Sequence, residues 1–338
     1  MGVMGCCGRL DPNNQNEKEI SFEKNYQQSE LGTNDDKENI IRCCPNLDKN
    51  DLKKIEIKFM NSLKSFGKFI TDKNFEEILN NVNKYINKIE FPKEIENHKE
   101  ENCFITHPIE FSNGEIYKGS WNINNQRHGF GINIKPDGTI YKGLWDKDNI
   151  GNYGLFLDSN GNYYKGYLKD GKMEGEGEME IKNKSKYKGN FNNDYPNGRG
   201  EFEDYEKGCK YNGEMLNGKK EGKGILEYND GTTYDGSFKN DLYDGFGILK
   251  YNNGRIYEGE FKEGKIKGKG KFKWEDGKVY EGEYNDFMKT GFGKLIWNDN
   301  KYYEGQWLNN RQHGKGLIHY DGKEIEGIFR FGKIIKGN

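Results

Sequence analysis

One tyrosine-led motif recurs along most of the chain at a fixed interval, and that interval limits the folds open to it. The motif reads Tyr-x-Gly-x-aromatic, a short charged segment, Gly-x-Gly-x-apolar, then a polar turn, as from Tyr257 to Trp274 and Asp276-Gly277. Its leading residues are Tyr117, Tyr141, Tyr164, Tyr187, Tyr211, Tyr234, Tyr257, Tyr280 and Tyr303, always 23 or 24 residues apart. A tenth, partial copy begins at Ile325 with Gly327 and Phe329 in place, and half a copy (Ile109, Phe111, Gly114) precedes the first. Periods of this size mark a repeat array, whose units bury their apolar faces only by stacking.

Parity within one copy sets the secondary structure. Tyr257, Gly259 and Phe261 alternate along one face, as do Gly268, Gly270, Phe272 and Trp274, so both segments are strands. The gap from Phe261 to Gly268, with Gly264-Lys265 at its middle, suits a tight hairpin. That turn would set Phe261 against Gly268, Gly259 against Gly270 and Tyr257 against Phe272, each ring lying over bare glycine backbone. Asp276-Gly277 leads to the next tyrosine within three residues, so successive hairpins must lie side by side. Nine such hairpins at about 4.8 Å per strand predict a twisted sheet roughly 90 Å long, with aromatic residues along one face.

Composition agrees. Glycine fills 46 of 338 positions, well above the background of about 7%. Tyr (22) and Phe (20) far outnumber Trp (5), so the buried surface is aromatic and packed on small residues. A net charge of −2 removes the global electrostatic case for nucleic acid. No apolar run approaches bilayer length, and the first residues lack the core of a secretory signal, which places the chain in the cytosol or facing it. The cysteines (Cys6, Cys7, Cys43, Cys44, Cys103, Cys209) show no C-x-x-C spacing and predict no zinc site.

The spacing Y-(E/K)-G-x-(F/W) followed by G-x-G resembles the MORN repeat (membrane occupation and recognition nexus), and the resemblance covers residues 117–338. Three copies depart from it: Asn152 replaces a glycine, an extra residue precedes Gly129, and Ile325 replaces a tyrosine. The resemblance implies an elongated antiparallel sheet and non-catalytic work. That work spans membrane apposition, phosphoinositide contact, scaffold assembly, cytoskeletal or ciliary organisation, or service as a recognition arm on an enzyme.

Chemistry-bearing motifs are few. A G-x-G cradles phosphate where it leaves a strand and opens a helix; here it recurs inside strands. The acidic run Asp146, Asp148, Gly151 fails as a calcium loop because Leu157 holds the twelfth position. No nucleophile is paired with a base, and residues 1–116 are too few and too polar for a catalytic core, so no enzyme activity and no cofactor or metal are expected. The aromatic face (Tyr117, Trp121, Tyr141, Trp145, Tyr164, Tyr187, Phe191, Tyr211, Tyr234, Phe238, Tyr257, Phe261, Phe272, Trp274, Tyr280, Tyr284, Trp297, Tyr303, Trp307) is the expected groove for a partner segment or for the chain's own helices. On the opposite face Lys265, Lys267, Lys269, Lys271 and Lys273 form a stripe. The expected register sets Glu258 against Lys271, Glu260 against Lys269, Lys169 against Glu174 and Lys165 against Glu178, which makes the stripe a salt-paired face. Lys219, Lys220, Lys223, Lys262, Lys265 and Lys267 form an unpaired remainder at neighbouring hairpin tips, the candidate phosphoinositide contact.

Residues 1–47 are polar and aperiodic, a disordered tail. Over 48–91, Leu52, Ile55, Phe59, Leu63, Phe66 and Ile70, then Phe75, Ile78, Leu79, Val82, Ile86 and Ile89, follow helical spacing and predict two amphipathic helices. Asn74 and Glu77 suggest a capping box between them, Phe91-Pro92 ends the second, and 92–116 is linker and half-repeat. The helices cap the open edge of the first hairpin, or else bind a partner or membrane. Gly2 is the N-myristoyl acceptor once Met1 is removed, and Cys6 and Cys7 are in place for palmitoylation, although position 6 lacks the usual Ser or Thr. A myristoyl chain alone binds at only about 10⁴ M⁻¹, so the cysteines would have to supply the second anchor; the plain alternative is unmodified surface thiols. These features predict a scaffold at the inner face of a membrane that binds a protein partner and anionic lipid. The alternative is a cytoskeletal or ciliary component whose sheet self-associates into homo-oligomers without lipid.

Overall fold

The computed structural model describes Leu63, residues 67–82, Ile86, residues 89–97 and residues 103–337. The expectations for Gly2, Cys6, Cys7, the tail and most of the first helix lie outside the described residues. Two compact units emerge: one runs to Lys182 and adds Phe191–Asp194, and the other comprises Asn183–Asn190 and the chain from Tyr195 onward.

In the first unit the strands Ile116–Asn122, Arg127–Ile134, Ile140–Asp146, Asn149–Leu157, Tyr163–Lys169 and Lys172–Ile181 each pair antiparallel with the next. The helix Asp72–Val82 begins where the Thr71 hydroxyl accepts the Asn74 backbone N–H at 3.2 Å, so Thr71, not Asn74, is the cap. Phe75 and Leu79, with Ile86 beyond the helix, pack on Ile116, Ile134, Ile140, Leu155 and Leu157. Ile116 precedes Tyr117 by one residue, so the helix covers the sheet face opposite the tyrosines.

The helix therefore does not cap the sheet edge. That place goes to the strand Gly67–Phe69, paired with Ile109–Phe111, in a stretch where the spacing predicts helix. Gly67 explains the difference: a Cβ there would lie 2.9 Å from the Glu110 carbonyl carbon, so only glycine allows this approach.

In the second unit the strands from Tyr195–Asp204 to Lys333–Gly337 likewise pair each with the next. The hairpin of Ile256–Lys262 and Lys265–Lys273 keeps the expected pairs Tyr257↔Phe272, Glu258↔Lys271 and Gly259↔Gly270. It then slips, and Phe261 pairs with Ile266 rather than Gly268. The turn is Glu263-Gly264, both left-handed (φ 50° and 77°), one residue earlier than expected. The surplus residues form a bulge in which Gly268 takes φ 97°. Glu260 therefore does not face Lys269; its carboxylate turns to the Lys269 backbone N–H at 3.3 Å. The first unit repeats the slip: Lys165↔Glu178 holds, but Lys169 meets Lys172 instead of Glu174.

Candidate functional site

Each leading tyrosine makes the same two contacts. Its ring lies over a facing pair of glycines: a Cβ on Gly270 would come within 2.5 Å of Tyr257 Cε2, and one on Gly259 within 2.6 Å of the Tyr257 hydroxyl. Its hydroxyl donates to the carbonyl three residues on, at the bulge, from Tyr117 to Ser120 (2.9 Å) through Tyr257 to Glu260 (3.0 Å) to Tyr303 and Gln306 (2.9 Å). All nine copies close this bond. The sequence shows the tyrosines but not the bulge carbonyl that makes a hydroxyl necessary. Burial pushes all nine phenols up, Tyr187 and Tyr303 to about 12.

Edge-to-face contacts link one copy to the next. In the second unit Tyr234 meets Phe238 and Phe261 at 5.1 and 5.2 Å, Tyr257 meets Phe261 and Tyr284, and Tyr280 meets Tyr284 and Trp307. In the first unit Tyr117 meets Trp121 and Trp145, and Tyr164 meets Phe191. Such pairs add about 0.5–1.5 kcal/mol each beyond burial. The rings expected to line a groove are thus consumed by packing. The nine leading tyrosines, Trp121, Trp145, Phe191, Phe238, Phe261, Tyr284 and Trp307 are buried; Phe272, Trp274 and Trp297 are half-buried.

The other face of the second unit is open. Glu258, Lys269, Lys271, Glu281, Glu283 and Lys294 alternate in sign along a trough of about 840 Å³ that also takes in Phe246 and Phe292. Those two rings are 52% and 55% exposed, on a face whose other side chains are mostly charged. Lys271 and Glu281 approach to 3.5 Å, and Lys294 and Glu304 to 2.9 Å. Of the stripe expected from sequence, Lys271 is ion-paired, with Glu281 of the following strand rather than with Glu258, and the exposed phenylalanines beside it were not singled out.

The six lysines of the candidate phosphoinositide patch are not an unpaired set. Lys220 lies 3.8 Å from Asp241, Lys262 3.1 Å from Asp244 and Lys265 3.0 Å from Asp286. Lys220 also turns to the aromatic face, 5.4 Å from the Phe202 ring. Lys219, Lys223 and Lys267 are exposed.

Lys289 is a residue that the sequence reading missed. Its ammonium sits 4.9, 5.1 and 5.4 Å from the rings of Trp274, Tyr280 and Trp307, and desolvation, with Lys278 nearby, lowers its pKa. In the equivalent copy, Asp241 accepts the Lys220 backbone N–H and faces its ammonium; here the acceptor is Asn310, which brings no charge. The signal was present at 21 residues' separation, visible only once the copies are aligned.

A tandem array of antiparallel hairpins, each pinned by a tyrosine over two glycines, defines a β-type repeat protein. The MORN repeat matches residues 117–140, 164–186, 187–205, 211–233, 234–254, 257–279, 280–302 and 303–322. These stretches make up more than half of the chain, which belongs to the MORN-repeat family, a non-enzymatic repeat family. The copy at Tyr141, where Asn152 replaces a glycine, falls outside the match, yet it forms the same hairpin, with Gly143 against Gly154. Comparison with curated proteins returns no match. Among solved structures, the chain is similar to the TCP domain of Drosophila melanogaster SAS-4, solved with a proline-rich motif of Ana2 (19% identity, 51% of this chain, 86% of that chain, TM-score 0.28). It is also similar to a mutant TCP10 domain of Danio rerio CPAP (14% identity, 69% and 98% covered, TM-score 0.31) and to virginiamycin B lyase from Staphylococcus aureus (10% identity, 64% and 92% covered, TM-score 0.15).

Proposed function

We propose that the chain is a non-catalytic scaffold whose second unit binds a segment of a protein partner across the trough between Phe246 and Phe292, with lipid on Gly2 and on Cys6 or Cys7 holding it to a membrane. The exposure of those two rings carries the reading. Large apolar side chains set in a charged, alternating floor match the anchor-and-rim arrangement of protein interfaces. The tyrosine face supports the sheet, since its rings are engaged with one another. A membrane tether would raise the effective concentration of the scaffold against any membrane-borne partner. Anionic lipid has a lesser place, because Asp241, Asp244 and Asp286 answer half of the lysines offered for it.

The test is a double substitution, Phe246→Asp with Phe292→Asp, in the full chain. Partners recovered by proximity labelling of the wild type should be lost, while the circular dichroism spectrum and melting temperature stay within error. An unchanged partner set would sink the trough reading. For the tether, label from a myristate analogue should appear on the wild type and vanish in Gly2→Ala, together with membrane fractionation. Retention of Gly2→Ala in a detergent-insoluble pellet would replace the membrane reading by the cytoskeletal one.

A further inference from the structure

We infer that the trough of the second unit takes a partner segment whose aromatic residue is flanked by lysine or arginine, the charge-inverted counterpart of a segment that the first unit already holds. The inference rests on the trough reading above and gives its occupant a chemistry. Repeats make the comparison direct, because equivalent side chains stand at the same register in every copy. On the face opposite the tyrosines, the residue just before the second glycine of the Gly-x-Gly place is aromatic in four copies: Phe130 and Tyr153 in the first unit, Phe246 and Phe292 in the second. In the first unit those rings are covered. Phe91 lies against both, its ring centroid 6.0 Å from that of Phe130 and 5.7 Å from that of Tyr153. In the second unit Phe246 and Phe292 carry no such cover and are exposed.

Charge decides what surrounds the anchor. The residue after each leading tyrosine points to this same face, and in the first unit it is Lys118, Lys142 and Lys165. Lys118 meets Asp72 and Glu76 of the helix at 3.0 and 3.2 Å. Lys142 binds Glu96 and lies 4.9 Å from the Phe91 ring. Lys165 donates to the Glu90 carbonyl at 3.0 Å. All three lysines thus hold one acidic stretch of chain, with Phe91 as its ring. In the second unit the same position reads Lys188, Asn212, Asp235, Glu258, Glu281 and Glu304. The sign reverses from Asp235 on, and the reversal falls beside the exposed rings: Asp235 and Glu258 lie on the strands flanking Phe246, Glu281 and Glu304 on those flanking Phe292. The apolar row next to it is kept, since Ile256, Val279 and Tyr302 stand where Ile116, Ile140 and Tyr163 belong to the core under the first unit's helix. Lys271 and Lys294 answer Glu281 and Glu304, while Asp235 and Glu258 enter no ion pair among the described residues. Lys269, on the strand midway between the rings, asks for an acceptor there. The complement is therefore mixed along its length but cationic beside each ring.

The test titrates the full chain into a fluorescent peptide of residues 86–97, and into the same peptide carrying Glu90→Lys with Glu96→Lys, read by anisotropy. The lysine form should bind about tenfold tighter, each change exchanging a like-charge contact for an exposed ion pair. Phe91→Ala in that peptide, or Phe246→Asp with Phe292→Asp in the chain, should weaken it by about tenfold or more, as loss of an aromatic anchor does. Glu258→Lys with Glu281→Lys in the chain, both at exposed positions, should reverse the ranking of the two peptides and leave the melting temperature unchanged. Equal or tighter binding of the unaltered peptide overturns the inference and makes the acidic segment of a second copy the occupant. Binding of the lysine form that ignores Phe91→Ala is bulk attraction between opposite charges and overturns it too, as does no binding at all. Loss of labelled partners in the chain with Phe246→Asp and Phe292→Asp, beside any of those three results, keeps the trough reading and discards only this chemistry; an unchanged partner set removes both.

Discussion

At the scale of single residues, the two glycines of each Gly-x-Gly serve different ends. Gly270 lies under the Tyr257 ring with ordinary backbone angles, and its constraint is space; Gly268 has φ 97°, and its constraint is conformation. Gly270→Ala should therefore drive a methyl into a buried ring and cost about 1–3 kcal/mol. Gly268→Ala carries left-handed strain of about 1–2 kcal/mol and crowds Glu260 Cδ, 2.8 Å from the added carbon. Asparagine, tolerant of left-handed angles, should do better than alanine at 268 and worse at 270; chemical denaturation of the four variants checks this, and equal rankings at both sites would refute the division. Tyr257→Phe separates ring from hydroxyl. It keeps the packing but leaves the Glu260 carbonyl without its donor at 3.0 Å. The expected loss is about 1–2 kcal/mol in urea unfolding, and a neutral result would mean that solvent reaches the bulge.

At the scale of elements, the helix Asp72–Val82 owes its place to one face. Phe75 and Leu79 are 0% and 6% exposed, against strands that here carry Ile116, Ile134, Ile140, Leu155 and Leu157. Phe75→Ala should cost about 3–5 kcal/mol and free the helix, read as faster amide exchange over Ile116, Ile134 and Leu155; unchanged exchange would show that the helix is not docked there. The helix was legible from its 3-and-4 spacing only as far as Val82, since that spacing runs on to Ile89 and an end at Phe91-Pro92 while neither Ile89 nor Phe91 is helical; the repeat strands were legible from their period of two. What parity could not show was the slip beyond Gly259. A hairpin drawn symmetrically puts Phe261 on Gly268, whereas the left-handed pair Glu263-Gly264 and the bulge at Gly268 move it to Ile266. The alternation of faces survives the slip, because the surplus residues leave Phe261 and Ile266 on the tyrosine side. For that reason Glu258–Lys271 was readable and Glu260–Lys269 was not. Gly67–Phe69 misled for a related reason: helical spacing ran through a glycine whose reason for being there, the Glu110 backbone, lies more than forty residues away.

At the scale of the whole molecule, repetition turns a modest local property into a collective one. Tyr117, Tyr141 and Tyr164 belong to the first unit, and the six from Tyr187 to Tyr303 to the second. All are at most 5% exposed, and burial raises every one of their pKa values. A tyrosine ionises near pH 10 in the unfolded chain, while Tyr187 and Tyr303, pushed to about 12, hold their protons when folded. Below pH 10 both states keep the proton and the contribution to stability is whole. Above it the unfolded state binds fewer protons, so stability falls as pH rises, by about 1.4 kcal/mol per tyrosine per pH unit. Six tyrosines contribute to this slope in the second unit and three in the first, against a usual total of about 5–15 kcal/mol for a domain. The second unit should therefore unfold first and over the narrower interval. Phenolate absorbance from the nine leading rings should appear only with loss of the strand signal in circular dichroism, so the absorbance reaches that of all 22 tyrosines only once the sheet is lost. Tyr187→Phe with Tyr303→Phe should move that transition up in pH even as it weakens the fold at neutrality. Phenolate absorbance equal to that of all 22 tyrosines with the sheet intact would mean that the leading rings are open to water in the folded state, and the packed ladder would have to be abandoned.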